Sequence, residues 1–335
     1  MQHITTSRDP FTDQVTQLGF LTSHDYVDEL LNKIWGASTS SAKNRAPRIV
    51  AHMRGATEYL DQAMSGPPEV AFLPAYSAIL NLLKVYILLS ARHSELQANR
   101  YHGASYDVYA KDSRSILTEE IILRSKGAMP LVYEIITGSV LKDKSRVRLG
   151  DIYPYLADIS AEWILASGKA PKLAFVDFSF EAPEEGRRRI LARVELQQGS
   201  QNARLKDLQV LREFTKDPRR PAQFVARTSE PVSVPDSVAI WRRVRPFLLY
   251  HPNPTVGASI VPVSSKKLQM FEELPIALAF YHLSSVVRYK PEFLARIRDS
   301  RFWPMMVSMQ SHCLGKFISL FWSYVQKKTM VLTHA

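Results

Sequence analysis

The densest run of chemically versatile side chains is Ala91-Arg-His-Ser-Glu-Leu-Gln-Ala-Asn-Arg-Tyr-His-Gly103, directly after a long apolar stretch. His102 titrates near neutral pH and can move a proton, while Arg100 or Arg92 beside it could stabilise a phosphoryl anion. The expectation is a metal-free acid–base site with His102 and Arg100 as its catalytic residues. The competing reading is structural: a His-Gly turn closing a helix, with Gly103 left-handed and His102 bonded to its own backbone.

A second run, Ser284-Ser-Val-Val-Arg-Tyr-Lys-Pro-Glu-Phe293, reads as one helix stopping and another starting at Pro291. Arg288, Tyr289 and Lys290 at that junction are candidate ligand or nucleic-acid contacts. Against this, Arg288 could instead form a structural ion pair with an acid upstream, with Glu272 and Glu273 disfavoured by distance. Arg245 and His251 are separated by five residues. That spacing resembles the Arg–His pair of HEPN ribonucleases, which lies on one helix, yet Pro246 follows the arginine and the segment reads partly as a strand. Asp177 and Glu195-Leu-Gln197, on consecutive predicted strands, resemble the metal site of restriction-like nucleases with glutamine in the lysine's place. The polar face of an ordinary sheet explains the same three residues. No metal and no cofactor is expected.

Common nucleotide and metal chemistries lack their motifs. There is no G-x-G, Walker A, HExxH or G-x-S-x-G, and a single cysteine cannot make a zinc knuckle. Cys313 beside His312 reads as a core thiol, since helix neighbours point about 100° apart. One cysteine also suits a reducing cytoplasm, and the first residues hold no secretory h-region.

Charge is uneven. Residues 241–335 hold 13 Lys+Arg against 4 Asp+Glu, a net +9 of the chain's +11. They also hold 14 of the 34 aromatic residues, including Trp241, Phe302, Trp303, Phe321 and Trp322. A cationic face with stacking side chains suits an anionic partner, above all a nucleic acid. Arg242, Arg243 and Arg245 are the expected contacts there, with RNA ahead of DNA.

The elements that must position these residues alternate in character. Ser23 caps a helix over 24–35 that Gly36 stops, and helical spacing recurs through Ile49, Met53, Ala56, Tyr59, Leu60 and Ala63. Pro74 is read as opening the helix 75–93, on which Leu80, Leu83 and Ile87 face the core. Its apolar stretch of 17 residues, 75–91, carries Asn81 and Lys84 and reads as a buried helix rather than a membrane span. A further helix is expected over 149–165. Residues 172–181 and 189–197 alternate with period two around Pro183 and Gly186, which predicts a hairpin, and proline-punctuated β runs continue to Val263. Helical periodicity returns from Leu268.

The blocks Leu73-Pro74…Tyr76…Asn81-Leu-Leu-Lys84, His102-Gly103, Gly127…Leu131-Val-Tyr133 and Leu283-Ser-Ser-Val-Val-Arg-Tyr-Lys-Pro291 resemble the YaaC-like family over roughly residues 45–325. The resemblance implies a shared fold and a bacterial cytoplasmic protein, brings no activity, and draws attention to His102, Gly103, Arg288 and Tyr289.

The expected fold is α+β, predominantly helical: N- and C-terminal helices share a core around a mostly antiparallel β insert. The divisions are 1–168, 169–265 and 266–335, with one continuous domain made of the outer two as the alternative. Two function classes follow: a nucleic-acid-associated protein, RNase-like and suited to bacterial defence, or a non-enzymatic module that docks a nucleotide or an acidic protein. A homodimer is compatible with either, and no membrane contact is expected. In the folded chain His102 and Arg288 are expected to line one polar pocket.

Overall fold

The computed structural model describes residues 2–7, 10–107, 115–184, 187–196, 214–216, 225–228, 232–233, 249–250, 259–262, 268, 270–327 and 329–334. The chain divides into two compact units: Met1–Ile152 with Ile276–Ala335, and Tyr153–Pro275.

The first unit is chiefly helical. Its helices are α1 (Pro10–Leu18), α2 (His24–Lys33), α3 (Thr39–Ser65), α4 (Pro68–Leu89) and α5 (Ala128–Thr137), then α7 (Glu273–Tyr289, largely in this unit), α8 (Pro291–Arg298) and α9 (Trp303–Gln326). Helix α4 is apolar almost all round, which demands a central position. Phe72, Ile79, Leu82, Leu83, Tyr86, Ile87 and Leu88 are all buried on it. The Tyr86 ring meets Phe321 of α9 edge-on at 5.5 Å and Tyr324 at 4.2 Å, and Phe72 meets Phe280 of α7 at 6.1 Å. N- and C-terminal helices therefore do share one core. Helix α4 is the one described helix long and apolar enough to cross a bilayer, and 67% of its most apolar window is buried inside the protein.

Several sequence expectations shift here. Helix α4 begins at Pro68, so Pro74 lies within it rather than at its start. The bond Pro74 cannot donate would go to the carbonyl of Val70, a residue on the exposed side of the helix. Leu83 and Ile87 are buried as expected, whereas Leu80 is only half-buried. The helix expected over 149–165 is instead three 3-10 turns at Leu149–Asp151, Tyr153–Tyr155 and Ala157–Ile159, followed by α6 (Ser160–Ser167). Pro154 interrupts an α ladder there, and Gly168 closes α6 in the left-handed conformation at φ 66°. Phe321 and Trp322, expected as stacking surface, are buried on the apolar stripe of α9, Phe302 just before that helix is buried too, and Trp303 is half-buried; Trp241 lies outside the described residues. Cys313 is buried, as a core thiol should be.

Two small sheets complete this unit. Strands β2 (Ala104–Tyr106), β3 (Glu120–Leu123) and β4 (Ser145–Arg148) form an antiparallel sheet in which Tyr106 faces Ile121 and Glu120 faces Arg148. Strands β1 (Gln2–Ser7) and β12 (Thr329–His334) pair in parallel.

The second unit carries the β insert: β5 (Leu173–Glu184), β6 (Arg187–Leu196), β7 (Phe214–Lys216), β8 (Val225–Thr228), β9 (Val232–Ser233), β10 (Leu249–Tyr250) and β11 (Ser259–Pro262). Strand order is β10-β11-β5-β6-β8-β7 with β9 beside β6, and every pairing is antiparallel. The expected hairpin is β5–β6, in one register from Ala174 opposite Leu196 to Glu181 opposite Arg189, with a register shift before Glu184 opposite Arg187. That register puts Arg193 opposite Asp177 and Phe175 opposite Glu195; Gln197 lies outside the described residues. Leu249 and Tyr250 are strand, which breaks the single helix an Arg245–His251 ribonuclease motif requires. Arg242, Arg243, Arg245 and His251 lie outside the described residues.

Candidate functional site

The site is built where the loop after α4 doubles back against the start of α5. Gly103, at φ +85°, and Gly127, at φ +130°, touch backbone to backbone. A Cβ on Gly127 would stand 2.4 Å from the Cα of Gly103, and one on Gly103 would stand 2.1 Å from Cδ of Pro130. The approach lets loop carbonyls and a side chain satisfy the orphan amides of α5. Ala128 donates its N–H to the Tyr101 carbonyl at 2.7 Å and Met129 to the His102 carbonyl at 3.2 Å. Gly127 donates to Oδ1 of Asn99 at 2.9 Å, and Arg124 donates its backbone N–H to the Gly103 carbonyl at 3.0 Å. His102 is thus fixed at a helix start, and Gly103 takes the expected positive φ. The His102 side chain does not bond its own backbone.

Instead its Nδ1 lies 3.0 Å from the hydroxyl of Tyr76 on α4. The two rings stack at 5.5 Å, and Tyr281 of α7 closes the group, 5.9 Å from His102 and 5.3 Å from Tyr76. One side of the imidazole remains open to solvent. Crowding on the other side, then the charges of Lys84 and Arg288, lower its pKa below the usual histidine value. Burial and the neighbouring Tyr281 push the Tyr76 hydroxyl well above its ordinary pKa, so it stays protonated. A neutral imidazole fixed through Nδ1 and facing two cations can act as a base toward an anionic ligand.

Arg288 is exposed, with its guanidinium 5.6 Å from the exposed Tyr289 ring. Arg100 makes the matching arrangement with Tyr101 at 5.4 Å. Both tyrosines are open to solvent, at 54% and 64%. The positive charge of Arg288 acts on His102 and lowers its pKa. Arg92 is tied to Glu95 at 2.5 Å and to Glu134 at 2.7 Å and so serves structure.

Lys290 turns inward rather than to a ligand. It is buried, with its ammonium 5.0 Å from the Tyr106 ring. Tyr106 donates its hydroxyl to the buried Glu119 carboxylate, whose Oε2 lies 3.7 Å from Nε2 of His282. His282 is fully buried, and burial is the main reason its pKa falls; Glu119 opposes that and Lys290 reinforces it. This cluster joins β2 to α7 immediately behind Tyr281.

Tyr76, Lys84 and Tyr281 were not picked out as site residues from sequence. Their signal was spacing: Tyr281 precedes Arg288 by seven residues, two helical turns, and Tyr76 and Lys84 lie on one helix with the loop to His102 beyond it. Among the described residues no group of three or more His, Cys, Asp or Glu side chains could hold a metal ion. A family model described as YaaC-like Protein matches residues 19–325. Comparison with curated proteins and with solved structures found no match.

Proposed function

The chain belongs to the YaaC-like family, and we propose that it binds single-stranded nucleic acid at the His102 site and cleaves RNA there without a metal. The observation that carries this reading is the His102 imidazole: bonded to Tyr76 at 3.0 Å and held neutral by crowding, Lys84 and Arg288. A neutral imidazole beside two cations matches what a phosphodiester transfer needs. With the ring's own proton on Nδ1, donated to the Tyr76 oxygen, Nε2 of His102 carries the lone pair; it takes the proton of a ribose 2′-hydroxyl, and the 2′ oxygen attacks the adjacent phosphorus. The bond from phosphorus to the 5′ oxygen breaks, and that oxygen takes a proton from water, leaving a cyclic phosphate; the hydroxide so formed takes the proton from the imidazolium and restores His102. Lys84 and Arg288 offset the charge gathering on the phosphoryl oxygens. RNA comes ahead of DNA because only RNA supplies the 2′-hydroxyl. The exposed Tyr101 and Tyr289 rings, each beside an arginine, offer bases a stacking surface. We place this activity in the bacterial cytoplasm, where cleavage of RNA suits a defence effector.

The second reading is a non-enzymatic module that docks a nucleotide or an acidic protein, and the exposure of Arg288 and Tyr289 favours it. Incubation of purified protein with end-labelled single-stranded RNA, with and without EDTA, separates the two. Cleavage that survives EDTA, ends in cyclic phosphate and disappears in His102→Ala while binding persists supports the enzyme. Binding without cleavage leaves the module, and neither result from a folded protein would sink both.

A further inference from the structure

The same cationic surface continues along α4 away from His102. On a helical wheel Lys84 lies about 80° round from Tyr76 and Asn81 about 140° round. In angle, Lys84 therefore falls between the residue that holds His102 and the residue that holds a second imidazole, His52, and it stands about one turn beyond Asn81 along the helix. Nδ1 of His52 on α3 donates to Oδ1 of Asn81 at 2.9 Å, while the Asn81 amide nitrogen donates to the Ser77 carbonyl at 2.9 Å. Gly55 of α3 lies beside the same Asn81, whose side chain an added Cβ would meet at 3.7 Å. The His52 ring is thereby oriented with Nε2 left over. Arg48 stands one turn before His52 on the same face of α3.

Lys84 is the informative residue. It is half-buried, and among the described residues it has neither a hydrogen-bond acceptor nor a carboxylate partner. Burial lowers its pKa and nothing offsets that. Its charge reaches both imidazoles, with Arg48 acting on His52 and Arg288 on His102. No carboxylate acts on either ring. Holding an ammonium partly desolvated without a counter-ion is costly, and an anionic ligand would remove that cost.

We infer that Lys84, His52 and Arg48 form a second phosphate subsite adjoining the His102 site, so that the protein takes a chain bearing successive phosphates rather than a mononucleotide. The inference rests on the proposed nucleic-acid reading and names its substrate class. It also separates the roles of the cations: Arg288 serves the first phosphate, Arg48 the second, and Lys84 both.

DNA probes test it without interference, because they lack the 2′-hydroxyl and cannot be cut by the proposed route. Affinities for fluorescent oligodeoxyadenylate and for dAMP are measured across a salt series with wild type, Arg48→Gln and Lys84→Gln, each checked by melting. Arg48→Gln should leave dAMP affinity unchanged. Its oligonucleotide affinity should fall about fivefold at 0.1 M salt, with the log–log slope reduced by about 0.7. Lys84→Gln should weaken both probes. An oligonucleotide curve unmoved by Arg48→Gln, or equal losses for both probes, would overturn the second subsite. Failure of the wild type to cleave RNA would sink the proposed chemistry and leave this DNA result standing.

Discussion

Substituting Gly127 by alanine tests the way His102 is held. The residue sits at φ +130° and ψ 175°, a region open essentially to glycine alone, and forcing a side chain there costs about 1–3 kcal/mol. The new Cβ would also stand 2.4 Å from both N and Cα of Gly103. Those are backbone atoms, so no rotamer change relieves the overlap and the two loops must separate, at about another 1–3 kcal/mol. Together these predict a loss of roughly 2–6 kcal/mol, a Tm decrease on the order of 10 °C for a body of this size. Gly138→Ala is the control: φ is +69°, yet no atom lies within 4 Å of an added Cβ. It should cost only about 1 kcal/mol. Separating the loops breaks the bonds of Ala128 and Met129 to the Tyr101 and His102 carbonyls. A displacement of about 1 Å at His102 should lower RNA cleavage about 100-fold. Urea unfolding of both variants, with cleavage assayed on the folded fraction, reads the two effects. If Gly127→Ala lies within about 1 kcal/mol of Gly138→Ala, the close approach does not hold the loop.

Leu83→Ala should cost about 2–5 kcal/mol by urea unfolding, because the side chain is 2% exposed at the centre of α4; a loss below about 0.5 kcal/mol would make that helix peripheral. Folding lowers the pKa of His52, His102 and His282, so below about pH 6.5 the unfolded chain binds protons that the folded chain refuses. Stability should therefore be full above that pH and fall as pH drops toward 5, and His282→Gln should flatten the fall; urea midpoints that do not change with pH would contradict the buried neutral state. Reversing Arg242, Arg243 and Arg245 to glutamate should weaken polyanion binding and lower its salt slope by about 0.7–0.9 for each phosphate no longer neutralised, while an unchanged slope would mean that those charges are simply solvated.

Features set by local chemistry could be read directly from the chain. The β5–β6 hairpin follows from period-two alternation around Pro183 and Gly186. The break before α8 follows from Pro291, the end of α6 from Gly168, and the central place of α4 from a surface apolar on every side. His102 stood out because a polar cluster follows a buried helix. Where local signals competed, tertiary structure decided. Pro74 lies inside α4, with Val70, whose carbonyl it cannot bond, on the exposed side, and Pro154 turns an apparently helical run into 3-10 turns. The aromatic residues of the basic segment satisfy either a stacking surface or a core by composition alone, and only the packing of α9 shows that Phe321 and Trp322 are core. The site itself is mostly tertiary. Tyr76, Lys84, His102, Tyr281 and Arg288 come from α4, a loop and α7, separated by as many as 212 residues. No spacing rule reaches that far: their proximity depends on α4 and α7 sharing a core and on two glycines letting one loop lie against another.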